Sequence, residues 1–203
     1  MKMWKLQNNL TNKKLLNEFT LSKGTKQDYY KLVKFHYITE IFPYGKYYIF
    51  KLTYNNILYA VIVYSSPTLT IKARNITKYG KLLSKKFKNK SDQARFLNKN
   101  FINISRIIVH PSVRGIGVSS YLIEESRKLL NYRFIECVST MLYYGNFAPK
   151  SYSYYCKIKS ISNARSLFYK VGLKHNNTGI RIGSPIKYYG YFLIINKNVP
   201  ISS

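Results

Sequence analysis

"VHPSVRGIGVSSYLIEES", residues 109–126, joins the end of an apolar run to the start of an amphipathic one, and its reading decides the fold. The run before it, "FINISRIIVH" (101–110), is rich in Ile and Val and predicts a buried strand. After it, apolar residues recur at 118, 122, 123, 129 and 130, a helical spacing, with Arg127 and Lys128 near the C-terminal end where cations suit the dipole. Between the two lies Arg114-Gly115-Ile116-Gly117-Val118-Ser119. A strand that feeds a helix through two glycines leaves backbone N–H groups at the positive helix end, and the missing Cβ atoms let an anion approach them. The stretch is not a P-loop, since no Gly-Lys-Ser/Thr follows, nor a dinucleotide fingerprint, since the third glycine is missing.

Working outward, "EFTLSKGTKQDYYKLVKFHY" (18–37) reads as a strand, a turn at Gly24 and a helix from Lys26, with Asp28 in its first turn. "KYYIFKLTYNNILYAVIVYSS" (46–66) reads as a hairpin about Asn55–Asn56. "RFIECVSTM" (133–141) predicts a strand, "SNARSLFYKVGL" (162–173) a helix ending at Gly172, and "YYGYFLIIN" (188–196) a last strand. Strands alternating with helices give a single α/β (α+β) domain over 18–203, preceded by a basic extension, 1–17.

The chain has 203 residues, enough for a real core, and 46% of them are apolar, which argues against global disorder. Its charge is the outlier: 34 Lys+Arg against 7 Asp+Glu, formally +27. Such a field attracts polyanions, whether DNA, RNA or an anionic membrane surface, although the wealth of Lys, Asn, Ile and Tyr is also what an AT-rich genome produces. Residues 71–100 hold ten Lys/Arg against Asp92, net +9, and read as a basic insertion. Its Lys72, Arg74, Lys78, Lys81, Lys85, Lys86, Lys88 and Lys90 are candidate phosphate contacts, with Tyr79 and Phe87 to stack on bases; the competing reading is a solvated basic loop. Cys137 and Cys156 imply neither a disulfide framework nor a metal site. With no signal-like segment and no apolar run long enough for a bilayer, the expected protein is soluble and intracellular, with the oligomeric state open.

The stretch "SRIIVHPSVRGIGVSSYLIEE" (105–125) resembles motif A of the GCN5-related N-acetyltransferase (GNAT) superfamily, and "SLFYKVGL" (166–173) is similar to that family's late helix. The resemblance covers about residues 18–196. It implies a mixed central sheet flanked by helices and acetyl-CoA as cofactor. It implies that amides around Ile116, Gly117, Val118 and Ser119, with Arg114 and Gly115, hold the pyrophosphate, and that the edge of Ile107, Ile108 and Val109 pairs with the pantetheine arm. Two positions depart from the pattern. Ser119 replaces a small Gly/Ala, and Phe168 stands where the family places the tyrosine that protonates the leaving thiolate, with Tyr169 beside it but about 100° away on a helix. A narrower likeness, on "KFHYITE" (34–40), "YAVIVYSSPTLTIKARN" (59–75) and "IECVSTMLYYGNF" (135–147), is to acetyltransferase domains fused to transporter-type ATPases and, more remotely, to phage Mom-type enzymes that modify DNA adenine. The segment between Met141 and Leu167 is longer here than in those relatives.

An amine must lose a proton before it attacks a thioester, so a base is sought within reach. His36 and the adjacent Tyr37 are candidates, each also readable as a capping or core residue. His110, before Pro111, reads as structural. Glu136 reads either as a raised-pKa base on a buried strand or as the partner of a lysine, and Tyr143 and Tyr144 are placed on the acceptor side by the resemblance. The first expectation is an acetyl-CoA-dependent N-acyltransferase acting on a nucleic acid or a nucleic-acid-bound amine. The alternatives are an enzyme for protein or polyamine amines, and a catalytically silent basic protein of a ribonucleoprotein.

Overall fold

The structure, a computed structural model, describes residues 15–36, 42–43, 45–87, 89–139, 141–142, 152–161 and 186–202. In chain order the elements are β1 (Thr20–Lys23), α1 (Lys26–Leu32) with a 3₁₀ turn (Val33–Phe35), β2 (Tyr47–Tyr54), β3 (Ile57–Ser65), α2 (Lys72–Ile76), α3 (Lys78–Lys86), α4 (Lys90–Asn100), β4 (Phe101–Val109), α5 (Val118–Arg127), β5 (Phe134–Ser139), β6 (Tyr154–Ile161) and β7 (Ile186–Ile195). The seven strands form one sheet in the order β1-β2-β3-β4-β5-β7-β6. Every neighbouring pair is antiparallel except β4 with β5.

Local chemistry accounts for most of these boundaries. Asn55 and Asn56 take positive φ of 47° and 62° and turn β2 into β3 within two residues, a conformation asparagine tolerates. A capping box starts α1: the Thr25 hydroxyl accepts from the Asp28 amide at 3.2 Å while the Asp28 carboxylate accepts from the Thr25 amide at 2.9 Å. Thr77 caps α3 from one side only, its hydroxyl accepting from the Gly80 amide at 3.0 Å. A side chain at Gly80 would place its Cβ 2.0 Å from the Arg74 carbonyl oxygen, so this corner between α2 and α3 requires glycine.

The sheet is covered on both faces. On one lies α5, whose Val118, Leu122 and Ile123 pack on Ile62, Ile104, Ile135, Phe192 and Ile194. On the other lies α1, whose Tyr29 and Leu32 pack on Val61, Val63 and Ile108. The rest of that second face, around Phe101, Phe134, Tyr191 and Leu193, is covered by Ala73, Leu83 and Leu97 from the segment between β3 and β4. This corrects the reading of 71–100 as a solvated basic loop: the segment is three short helices that supply part of the core. The helix predicted over 162–173 lies outside the described residues, whereas β6 is a strand that the sequence reading did not pick out.

Candidate active site

Two irregularities in β4 make the site. The first is a bulge. Val63 pairs with Arg106 but Tyr64 with Ile104, so Ser105 is the extra residue on the β4 side. The Ser105 hydroxyl bonds to that of Ser65 on β3. The second is a parting of strands. Parallel pairing with β5 runs only through Phe101↔Phe134, Ile102↔Ile135 and Asn103↔Glu136. Beyond Asn103 the two strands separate, and a cleft of about 470 Å³ opens between Ile104–Val109 on one wall and Cys137, Val138, Ser139 and Met141 on the other. Phe35 and His36 close its mouth on the side of α1.

The glycine loop forms the other end. After Val109 the chain makes a 3₁₀ turn, Pro111–Val113, capped by His110, whose Nδ1 accepts from the Ser112 amide at 3.3 Å. Gly115 and Gly117 both take positive φ, 84° and 97°, and Gly117 is the N-cap of α5 with no side-chain cap bond. The first amides of a helix have no intrahelical acceptor, so those at the start of α5 face outward with the positive end of the helix dipole behind them. A second cavity of about 230 Å³ lies over them, lined by Val113, Gly115, Gly117, Val118 and Ser120 among others. Val109, Arg114 and Ser119 line both cavities, so groove and cleft adjoin.

Arg114 is tied down by carbonyls: its Nε donates to Val109 O at 3.0 Å and a terminal nitrogen donates to Phe35 O at 3.0 Å. It thereby joins the loop, the end of β4 and the turn that carries His36. Ile107, Ile108 and Val109 stand on the cleft wall, Ile108 and Val109 buried and Ile107 half-buried. Ile116 packs its side chain on the core beside α5.

Three expectations are corrected here. Glu136 is fully buried and is neither an accessible base nor a lysine's partner. It pairs with Arg74, whose Nε donates to Oε2 at 2.9 Å and whose terminal nitrogen donates to Oε1; the Tyr191 hydroxyl also donates to Oε2, at 3.2 Å. Burial pushes this carboxyl upward, with the guanidinium and the phenol pulling the other way. Arg74 is 1% exposed and its remaining donors reach Thr68 O and Leu69 O, so it is no phosphate contact. Tyr79 packs on Phe134 and Phe87 on Phe96, so each ring is half-buried in a contact within the protein.

Lys72, Lys81, Lys86 and Lys90 are exposed on the outer helices. Nothing is described of the side chains of Lys78 and Lys85, and Lys88, Tyr37, Tyr143, Tyr144, Phe168 and Tyr169 lie outside the described residues. Cys137, on the cleft wall, was not singled out from the sequence; burial and the neighbouring Glu136 push its thiol well up, so it stays protonated.

A mixed sheet opened between two parallel strands, with a glycine-started helix at the open end, agrees with the mixed central sheet flanked by helices that the resemblance implies. No family model matches the chain, and no curated protein matches it. Among solved structures it is similar to a polyamine N-acetyltransferase of Drosophila melanogaster, with 11% identity over 88% of this chain and 100% of that one and a TM-score of 0.47. It is also similar to the ribosomal-protein-S18-alanine N-acetyltransferase of Escherichia coli, with 11% identity over 91% and 96% and a TM-score of 0.41. A third is a GNAT family acetyltransferase from Elizabethkingia anophelis with acetyl-CoA bound, with 10% identity over 88% and 99% and a TM-score of 0.38. No described helix is long and apolar enough to cross a membrane.

Proposed function

We propose that this chain is an acetyl-CoA-dependent N-acyltransferase acting on an amine of a protein or peptide. The observation that supports it is that the β4/β5 cleft adjoins the uncapped start of α5, with Val109, Arg114 and Ser119 lining both. One groove offers amides for a pyrophosphate, an edge strand for an amide-bearing arm, and a walled end for the reacting group. The residues suit the cofactor. At Gly115 a Cβ would meet nothing within 4 Å, at Gly117 the nearest atom is 3.8 Å away, and no side chain of the N-cap competes for the α5 amides.

Acetyl-CoA, when bound, would supply the acetyl group as a thioester. The amides of Val118, Ser119 and Ser120 would hold its pyrophosphate, and Arg114 positions the loop they lead from. The backbone of Ile107–Val109 orients the arm as an added strand would. His36, at the mouth toward α1, takes the proton from the amine.

Of the nucleic-acid contacts expected from the charge, Arg74 is lost to the core, while Lys72, Lys81, Lys86 and Lys90 stay exposed. An α-amine ordinarily titrates at about 8 and so offers a neutral fraction at pH 7 without strong base assistance. Calorimetric titration of the chain and of Ser119→Trp with acetyl-CoA tests the reading. Binding by the first and loss by the second supports it, and no binding by the intact chain refutes it.

A further inference from the structure

Arg106 is a charged side chain on the cleft wall that the steps above do not use. It stands in register with Val63 on β3, and partners in register project from the same face of a sheet. Val63 packs under α1 with Tyr29 and Leu32, so Arg106 faces the side of α1 and not that of α5. The pyrophosphate site is at the start of α5. The mouth on the opposite side, bounded by Phe35, His36 and Arg106, is therefore the one left to the acceptor. One terminal nitrogen of Arg106 donates to Ser105 O at 2.7 Å, which fixes the guanidinium beside the bulge. The formal charges among the described lining residues are those of Arg106 and Arg114, both positive, and Arg114 is held by two carbonyls.

We infer that Arg106 is a specificity-determining residue that selects an acceptor bearing a carboxylate close to its amine, the chemistry of a peptide with acidic residues after its N-terminus. The inference rests on the acyltransferase reading and names the acceptor class of that same site. A fixed guanidinium holds a carboxylate by charge-assisted hydrogen bonds and disfavours an acceptor that places an ammonium there. The acidic group thereby anchors the peptide while its neutral amine faces the thioester, so recognition and reaction use different ends of the first residues.

The experiment uses the full chain, acetyl-CoA and three C-terminally amidated peptides, Ala-Asp-Asp-Ala, Ala-Asn-Asn-Ala and Ala-Lys-Lys-Ala, with a single-stranded oligonucleotide as a fourth acceptor and thiol release as the readout. The expected order of kcat/KM is acidic, then neutral, then basic, with about tenfold between the first two. Arg106→Glu should reverse that order and Arg106→Lys should keep it. Lys23→Glu, the same charge change on exposed β1, should also keep it, which separates Arg106 from the general field of the chain. Equal rates on all peptides, a preference of the unaltered chain for the lysine peptide, or an order unchanged in Arg106→Glu would overturn the inference. So would transfer to the oligonucleotide in preference to every peptide. Thiol release with none of the acceptors would overturn the acyltransferase reading itself, and this inference with it.

Discussion

Arg74 and Glu136 stand 62 residues apart and meet in a two-pronged ion pair directly at the point where β4 and β5 part. Glu136 is the last β5 residue in the parallel ladder, so the pair fastens α2 to the apex of the cleft.

Removing one partner leaves a buried charge without its counterion. Arg74→Ala or Glu136→Ala should cost about 3–5 kcal/mol in denaturant unfolding, while Arg74→Met with Glu136→Leu recovers a large part of it. A loss below about 1 kcal/mol would mean that water reaches the pair in the single variants.

Gly117→Ala puts a side chain on a residue at φ 97° whose Cβ would meet Leu16 at an ordinary 3.8 Å, so the cost is conformational, about 1–2 kcal/mol. The α5 amides should be displaced with it. Acetyl-CoA affinity should fall at least about tenfold, which corresponds to 1.4 kcal/mol. Calorimetry on the variant checks this, and unchanged affinity would remove the loop from the site.

His36→Gln keeps a hydrogen-bonding side chain at the acceptor mouth and removes the base. The kcat on a peptide acceptor should drop on the order of 100-fold with KM changed little. An unchanged kcat, measured by thiol release, would assign proton removal to water.

Asp28 sets the acid limb of stability. Burial alone would raise its carboxyl, but the amide and hydroxyl of Thr25 and the Lys51 ammonium at 3.2 Å more than offset this and hold it below its ordinary value. A carboxyl lowered by folding stabilises the protein fully above its unfolded pKa of about 3.9, and this is lost as the pH falls through the folded value. Asp28→Asn should therefore cost about 1 kcal/mol at pH 7 and show a shallower decline below pH 4 in urea titrations.

The parts of this fold legible in the sequence are those set by neighbours along the chain. Asn55–Asn56, the start at Thr25–Lys26 and the glycines before α5 each announce a local conformation, and each stands where the residues place it. What stayed hidden depends on distant partners. Arg74 looks like any other cation in a stretch of ten, and only Glu136 across the sheet shows that it is interior. Ala73, Leu83 and Leu97 lie on three helices of 5, 9 and 11 residues, too short for a period to stand out among lysines. Neither the parting of β4 from β5 nor the residue that kinks β4 leaves a compositional trace.

The extra residue at Ser105 acts on β4 as a shift of phase. Ile102 and Ile104 lie on the α5 face, and strict alternation would send Arg106 there too and turn Ile107 toward α1. The shift exchanges them: Ile107 joins Val109 on the α5 side, and Arg106 joins Ile108 on the other. Deleting Ser105 would put Arg106 directly after Ile104, so simple alternation would still send the guanidinium to the acceptor side, while the kink in β4 and the Ser65–Ser105 bond would be lost. Which side of the sheet a β4 residue faces is thus set by the phase of the strand and not by residue type.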